Sequence, residues 1–240
     1  MANLTPGRPA GAGSRPVRGS AERVAAGSVG RVALLDLVAA ERHRFADLID
    51  SLTPEQLDTP SLCGEWTVRQ VAGHVVAPFA TRRSWFLPLL LHSRFSLHRA
   101  NAELARMVAR RPVAELTGEL RRNARNPFAP PVVGQLGQLT DLQVHAQDVR
   151  RPLGLAYALD PEPARTSLDF LVSRRSVAFG PRRLRGGLRF ATTDLDWAWG
   201  DGPEVRGTAE AIMMALTGRT VVLPELTGDG AAVLRKRSAR

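Results

Sequence analysis

The stretch that decides the fold covers residues 61–79 and reads SLCGEWTVRQVAGHVVAPF. Thr67 and Gln70 have the spacing of a capping box, in which the two side chains bind each other's backbone N–H groups at a helix start. The apolar residues that follow recur at helical spacing, so a long helix is predicted from Thr67 to about Phe86. His74 lies among the valines of this helix. We therefore expect its imidazole to face the interior.

Further helices are predicted on both sides of this stretch. Helical periodicity is present in residues 31–52, in residues 97–124 with a break at Pro112, and in residues 139–151, where Pro152 and Gly154 end the pattern. A short capped turn is expected at TPEQL, which begins at Thr53. Four long helices joined by loops predict a four-helix bundle.

The pattern changes in the C-terminal part of the chain. A helix is expected around residues 168–179, GGLRFATTD and LDWAWGDG alternate like two strands, and GTAEAIMMALTG is helical up to Gly218. The predicted fold class is α+β. The expected domains are a four-helix bundle over residues 31–155 and a small C-terminal α/β domain over residues 156–235, with a disordered basic tail at 1–30 and a basic tail at 236–240.

The positive charge is concentrated at the two ends of the chain. The formal net charge is +10, but residues 1–31 contribute +4 and residues 231–240 another +4, which leaves +2 for the rest. Arginine supplies all of the basic residues except Lys236, as coding in a GC-rich genome would give. A nucleic-acid partner is therefore not expected, because the body has no basic face interleaved with aromatic residues.

The cysteine content and the apolar segments indicate a cytoplasmic protein without a membrane partner. Cys63 is the single cysteine, so the chain cannot form an internal disulfide. The run SWFLPLLLH, residues 84–92, is much shorter than the roughly 20 residues that span a bilayer. It is predicted to be part of a buried helix.

One acid and two histidines form a candidate metal site. Asp141 and His145 are four residues apart, so on a helix they lie one turn apart on the same face. His74, on a different helix, can supply a third ligand across the bundle. Two imidazoles and one carboxylate suit Zn²⁺ or another divalent metal and leave positions open for a substrate.

The same residues also allow a purely structural interpretation. Asp141 can be a first-turn acid that the helix dipole favours, because Thr140 and Gln143 fit a local capping box. His145 and His74 can be hydrogen-bonded histidines of the core. The spacing alone does not decide between these alternatives.

Two neighbouring residues also have alternative roles. Asp148 lies one turn beyond His145, where it can orient the imidazole, or it can pair with Arg150 or Arg151 at the surface. Cys63 lies just before the helix that carries His74 and can be either a functional thiol or a small buried residue.

Three separated segments resemble one known family. TPSLCGEWTVRQVAGHVV, LQVHAQDVRRPLGL and ATTDLDWAWGDGPEVRGTAEAIMMALTGR together resemble the mycothiol-dependent maleylpyruvate isomerase family, whose bundle domain is DinB-like. The resemblance covers about residues 31–235. It implies an N-terminal DinB-like bundle with a small C-terminal domain.

The resemblance also implies a set of site residues. The family's metal, usually zinc, is held by a histidine of the second helix and by an acid and a histidine of the fourth, which fall on His74, Asp141 and His145. The acid is commonly glutamate, so the shorter Asp141 requires the metal to lie closer to its helix or a water to bridge. An arginine of the C-terminal part is expected to hold substrate carboxylates, and Arg219 is the candidate.

The implied function is that of a metal- and thiol-dependent enzyme. The family's chemistry uses the low-molecular-weight thiol mycothiol as a cofactor in the isomerisation of maleylpyruvate. We therefore expect an isomerase or S-transferase with a small-molecule substrate. The alternative is a non-enzymatic DinB-like module, with an absent or structural metal, that binds a protein or nucleic acid through its basic ends.

Overall fold

The computed structural model describes residues 20–64, 66–80, 96–129, 133–156, 159–176 and 178–239. The chain divides into two compact units, one ending at Ala33 and the other beginning at Leu34. The described residues of the first unit are the N-terminal part of helix α1, and all the candidate site residues belong to the second. The predictions for residues 1–19 and for SWFLPLLLH lie outside the described residues. Within the described ranges, no helix combines the length and the apolar character that crossing a bilayer requires.

The N-terminal part is helical, as predicted. Its helices are α1 (Ser20–Asp50), α2 (Pro54–Leu57), α3 (Val68–Ala80), α4 (Leu97–Val108), α5 (Val113–Arg122) and α6 (Gly134–Arg150). The predicted break at Pro112 separates α4 from α5. Two helices begin earlier than predicted: α6 begins at Gly134 instead of residue 139, and α1 begins at Ser20, inside the segment expected to be a disordered tail.

Both capping boxes predicted for the starts of α2 and α3 are present. The Thr53 hydroxyl accepts a hydrogen bond from the Gln56 N–H (3.3 Å), and the Gln56 side chain accepts one from the Thr53 N–H (2.9 Å). Thr67 and Gln70 make the same pair of bonds, at 3.4 and 3.2 Å. These bonds satisfy N–H groups that the first turn of a helix leaves without a backbone partner. The start of the helix that carries His74 is therefore encoded locally.

The C-terminal part combines helices with a small sheet. Its elements are α7 (Pro161–Val172), β1 (Arg189–Thr192), β2 (Ala198–Trp199), β3 (Glu204–Gly207), α8 (Ala209–Leu216) and α9 (Asp229–Ser238), with 3-10 turns at Arg174–Ser176, Arg182–Leu184 and Thr220–Glu225. The strand order is β2-β1-β3; β1 is antiparallel to β2 and parallel to β3. The predicted α+β class is confirmed. Strand β3 and helix α9 were not predicted, and α9 extends into the segment expected to be a basic tail.

Helix α6 lies between two groups of buried apolar side chains. The first group belongs to the bundle and includes Phe45, Val71 and Leu142, and the second belongs to the C-terminal part and includes Phe190 and Ile212. Every residue of α6 from 142 to 149 is buried. The helix therefore has no solvent-facing side over this length. The domain boundary at residues 155 and 156 stays a prediction, because residues 34–240 form one compact unit.

The close approach of α3 to α4 depends on Gly73. A Cβ atom there would lie 2.4 Å from the Ala105 carbonyl oxygen and 2.9 Å from the Ala109 Cβ. We expect Gly73→Ala to lower the free energy of unfolding by about 1–3 kcal/mol, because overpacking forces the two backbones apart. Chemical denaturation measures this difference.

Gly118→Ala is the matched control in helix α5. Its Cβ would meet only the exposed end of the Arg122 side chain, at 3.2 Å. The substitution should leave the free energy of unfolding unchanged or raise it by up to about 1 kcal/mol, the difference between glycine and alanine in a helix. Equal losses in the two variants would contradict the assignment of Gly73 to a tight helix crossing.

Candidate metal centre

The side chains of His74, Asp141 and His145 converge. The His74 Nε2 atom lies 3.6 Å from Asp141 Oδ2, and the His145 Nε2 atom lies 3.4 Å from Asp141 Oδ1. The two imidazole rings are nearly perpendicular, at 78°, with their centroids 4.9 Å apart. One ligand atom from each residue can be chosen so that all three lie within 4.8 Å of one another. The three residues selected from the sequence thus form one cluster.

The secondary structure explains this convergence. Asp141 and His145 are one turn apart on α6, and their side chains therefore lie on the same face. His74 comes from α3, whose capped start fixes its register, and the Trp66 ring packs against its imidazole at 5.1 Å between centroids. The His74 Nδ1 atom is buried and has no hydrogen-bond partner in the described part of the chain. Packing, rather than a hydrogen bond at Nδ1, holds this ring.

The distances at Asp141 fit a shared cation. They exceed the 2.7–3.2 Å range that is usual for N–H···O hydrogen bonds in proteins. Two ligand atoms about 2.0–2.2 Å from a tetrahedral ion are separated by roughly 3.4 Å. Each of the two histidine–aspartate distances is thus close to the separation of two ligands of one small divalent metal. The chemistry of these donors also suits such an ion.

The capping alternative for Asp141 is wrong. Helix α6 already begins at Gly134, so Thr140 and Gln143 lie inside it. The Thr140 hydroxyl donates to the Leu136 carbonyl oxygen (2.9 Å), and the Gln143 side chain donates to Glu41 (3.3 Å). The sequence has a capping pattern at this point, but packing on both sides extends the helix through it.

Asp148 contacts and orients His145, which is the first of the two roles considered for it from the sequence. Its carboxylate is fully buried and lies 2.9 Å from His145 Nδ1. It also accepts hydrogen bonds from Arg219 Nε (3.0 Å) and Nη2 (2.6 Å). Because an ionised carboxylate only accepts hydrogen bonds, Nδ1 of His145 carries the proton and Nε2 faces Asp141. Arg151 instead pairs with Glu210 and Glu225.

The three acid–base groups in contact shift one another's ionisation. Burial opposes the ionisation of Asp141, but the neighbouring imidazoles outweigh it and hold the pKa of Asp141 well below its usual range. Burial alone would lower the pKa of His145, yet the carboxylates of Asp141 and Asp148 raise it well above its usual value. Hydrogen bonds from His145 and Arg219 likewise lower the pKa of Asp148 against the effect of burial. The cluster therefore attracts positive charge, whether a proton or a metal ion.

Cys63 lies next to two residues of this cluster. Its thiol, a ring nitrogen of His145 and a carboxylate oxygen of Asp148 lie within 4.8 Å of one another. The residue is half-buried and also lines a pocket with residues 217–221. Its thiol is accordingly close to the groups that orient His145. Both roles considered for Cys63 stay open.

A second pocket lies beside the candidate metal ligands and contains residues that were not predicted from the sequence. His74 and Asp141 line it together with Arg42 and Gln138, and its volume is about 210 Å³. A signal for Arg42 was present, because it follows Val38 at helical spacing on the buried face of α1. A charged residue on such a face indicates a structural or functional role, since burying a charge is costly.

Comparison with known proteins agrees with the resemblance. Residues 38–126 match the family model of the mycothiol maleylpyruvate isomerase N-terminal domain. This part of the chain is therefore similar to the N-terminal domain of this family. The matched range includes His74, whereas Asp141, His145 and Arg219 lie beyond it. No curated protein and no solved structure matches the chain.

The buried pairing between Arg219 and Asp148 predicts a large effect on stability. We expect Arg219→Ala to lower the free energy of unfolding by about 3–5 kcal/mol, because it removes a partner from a fully buried carboxylate. Arg206→Ala is the control, since Arg206 is 57% exposed in its pairing with Glu204 and should cost less than about 1 kcal/mol. Urea denaturation of both variants makes the comparison. Similar small losses would show that the charge of Asp148 does not depend on Arg219.

Proposed function

We propose that the chain is a divalent-metal-dependent enzyme that uses mycothiol, as an isomerase or S-transferase acting on a small carboxylate-bearing or electrophilic substrate. The single observation that carries the proposal is the convergence of two imidazole Nε2 atoms and one carboxylate beside a pocket. The family of the N-terminal domain supports the choice of thiol and reaction. Zinc is the proposed metal, because imidazole and carboxylate ligands in a tetrahedral arrangement suit it.

His74, Asp141 and His145 are the proposed metal ligands. Three protein ligands leave a coordination position for a substrate or a thiol, as in catalytic rather than structural zinc sites. A bound divalent metal would polarise an oxygen or stabilise a thiolate at this position. The shorter Asp141 is compatible with this role, because its two oxygens lie at similar distances from the two imidazoles.

The other residues of the site are proposed to prepare these ligands. Asp148 accepts a hydrogen bond from Nδ1 of His145, so Nε2 is the ring nitrogen that would bind a metal beside Asp141. Arg219 fixes both oxygens of Asp148 and is thereby a positioning residue. Its predicted contact with substrate carboxylates stays a prediction. The apolar side chains around His74, such as Val75 and Phe79, would limit access of water to the reacting groups.

The metal proposal is tested by elemental analysis of the purified protein. We expect about one zinc per chain after incubation with zinc and dialysis, and a loss of most of it in His74→Ala and Asp141→Ala. His43→Ala is the matched control, because His43 is an exposed histidine of α1, and it should retain the metal. Circular dichroism verifies that each variant is folded.

The opposite result would favour the non-enzymatic alternative. A wild-type protein that retains no zinc, nickel, manganese or cobalt under these conditions would remove the metal from the proposal. Nucleic-acid binding that weakens with salt and disappears on deletion of residues 1–30 would then support a binding module.

The orienting role of Asp148 predicts a weaker effect than loss of a ligand. We expect Asp148→Asn to lower the zinc affinity by about 10- to 100-fold, the usual effect of removing a group that orients a metal-binding histidine. Competition with a chromogenic zinc chelator measures the affinity. An unchanged affinity in a folded variant would show that His145 does not bind the metal through the orientation that Asp148 imposes.

Activity is tested with mycothiol and maleylpyruvate, the thiol and substrate in the name of the matched domain. We expect turnover that requires both the thiol and the metal and that falls at least 100-fold in His145→Ala. His43→Ala should retain it. Metal-loaded protein without thiol-dependent turnover on maleylpyruvate or other small electrophiles would contradict the proposed enzyme.

A further inference from the structure

The pocket beside the metal ligands has the size and the polarity of a site for a small molecule. Its volume of about 210 Å³ corresponds to roughly seven water molecules at ~30 Å³ each. Most of its wall is apolar, with Val75, Phe79, Leu120 and Phe179 among the lining residues. The charged residues of the wall, among those described, are Asp141 and Arg42. A ligand for this pocket is therefore small and mainly apolar.

Arg42 is a buried cation with neutral partners. Its side chain is 2% exposed. One terminal nitrogen donates to the carbonyl oxygens of Asn123, Ala124 and Asn126, and the other donates to the Gln138 side chain. Burial lowers the pKa of Arg42 only to about 10, so the group is charged at neutral pH. It brings a full positive charge to the wall of an apolar pocket.

Among the described residues, no carboxylate lies within 4.0 Å of the Arg42 guanidinium. Glu41, its neighbour in the chain, instead binds Arg44 and Gln143. Asp141 lies between the two imidazoles of the metal site. Arg219 differs from Arg42 in this respect, because its guanidinium pairs with the carboxylate of Asp148.

A structural role explains only part of this arrangement. The three carbonyl groups belong to the segment that ends α5, where a cation interacts favourably with the helix dipole. That dipole supplies about half an elementary charge, whereas a buried guanidinium carries a whole one. Capping the end of α5 uses only one terminal nitrogen of Arg42. The other nitrogen binds Gln138, and the cation–π contact with Phe79 also holds the guanidinium at the pocket wall. The uncompensated charge is what the pocket offers to a ligand.

We propose that Arg42 is the anion-binding residue of this pocket and that the ligand is a small carboxylate with an apolar body. The inference rests on the proposed function, because it names the class of substrate that would lie beside the metal. The carboxylate is bound on the Arg42 side of the pocket, the apolar body packs against side chains such as Phe79, and the remaining end faces His74 and Asp141. The charge of the buried Arg42 is thereby neutralised by the ligand.

A pair of ligands with the same shape and different charge tests the inference. Benzoate and benzamide differ in charge but little in size, so both fit or both fail on steric grounds. We expect calorimetry of the zinc-loaded protein to give a benzoate affinity at least tenfold above that of benzamide. Equal affinities, or no binding of benzoate at millimolar concentration, would overturn the assignment.

Gln138→Glu tests the role of Arg42 without removing a buried side chain. Glutamate has nearly the shape of glutamine and can accept the same hydrogen bond from Arg42, but it supplies the missing negative charge. We expect it to lower the benzoate affinity at least tenfold, to leave benzamide unchanged and to keep the zinc content. Asn101→Asp is the control, because it adds the same charge at an exposed residue of the pocket rim and should lower the affinity less than threefold. Equal losses in both variants would mean general repulsion rather than a site at Arg42.

Arg42→Lys completes the set, because it keeps the charge and loses the planar donor arrangement. We expect a folded variant with at least fivefold weaker benzoate binding, since lysine cannot replace the bidentate geometry of arginine. If Arg42→Lys does not fold, the result with Gln138→Glu decides.

Measurements with and without zinc separate this inference from the proposed function. Benzoate binding that disappears on metal removal, and that is insensitive to Gln138→Glu, would place the anion on the metal and overturn the role of Arg42. Benzoate binding that depends on Gln138 and Arg42 in a protein without thiol-dependent turnover would uphold Arg42 and reject the enzyme. The two failures therefore give different results.

Discussion

The structure depends on the burial of one helix that carries polar side chains. Every residue of α6 from 142 to 149 is buried, because the bundle packs on one side and the C-terminal part on the other. Polar groups removed from water must find partners inside the protein. Gln143 therefore binds Glu41, and His145 binds Asp148. His145 and Asp148, the buried candidates on α6, are thus polar residues that need hydrogen-bond partners inside the protein.

This constraint ties the C-terminal part to the bundle. Helix α8 ends at Leu216, and Gly218, with a φ of +86°, turns the chain so that Arg219 follows directly. The Arg219 guanidinium is held by the Thr217 carbonyl oxygen and binds both oxygens of Asp148. An arginine of the C-terminal part thus sets the orientation of a histidine of α6 through Asp148. The fold class alone would not require this connection; the buried charge of Asp148 does.

The sequence predicted the features that depend on local spacing and missed those that depend on distant partners. The capping box at Thr67 is local, and so are the one-turn spacing of Asp141 and His145 and the apolar periodicity that places His74 on an inward face. Strand β3 contains one strongly apolar residue, Val205, and pairs with β1 in parallel, so its local pattern is weak. The start of α6 was misplaced because tertiary packing overrides a local capping pattern.

Arg42, which is buried, and Arg219, which is half-buried, illustrate why position alone does not define a role. Arg219 and Arg42 both lie close to the proposed metal ligands, and both carry a charge that burial makes costly. Arg219 shares its charge with Asp148, so its pairing is complete within the chain. The two terminal nitrogens of Arg42 donate to carbonyl and amide oxygens, and in the described part of the chain no carboxylate lies within 4.0 Å of its guanidinium. Because hydrogen bonding and charge compensation are separate requirements, a guanidinium that donates to several neutral oxygens can still favour an anionic ligand. Arg219, whose charge is compensated by Asp148, thus positions His145 through that carboxylate. Arg42, whose partners are neutral, is the residue that we propose selects an anionic ligand.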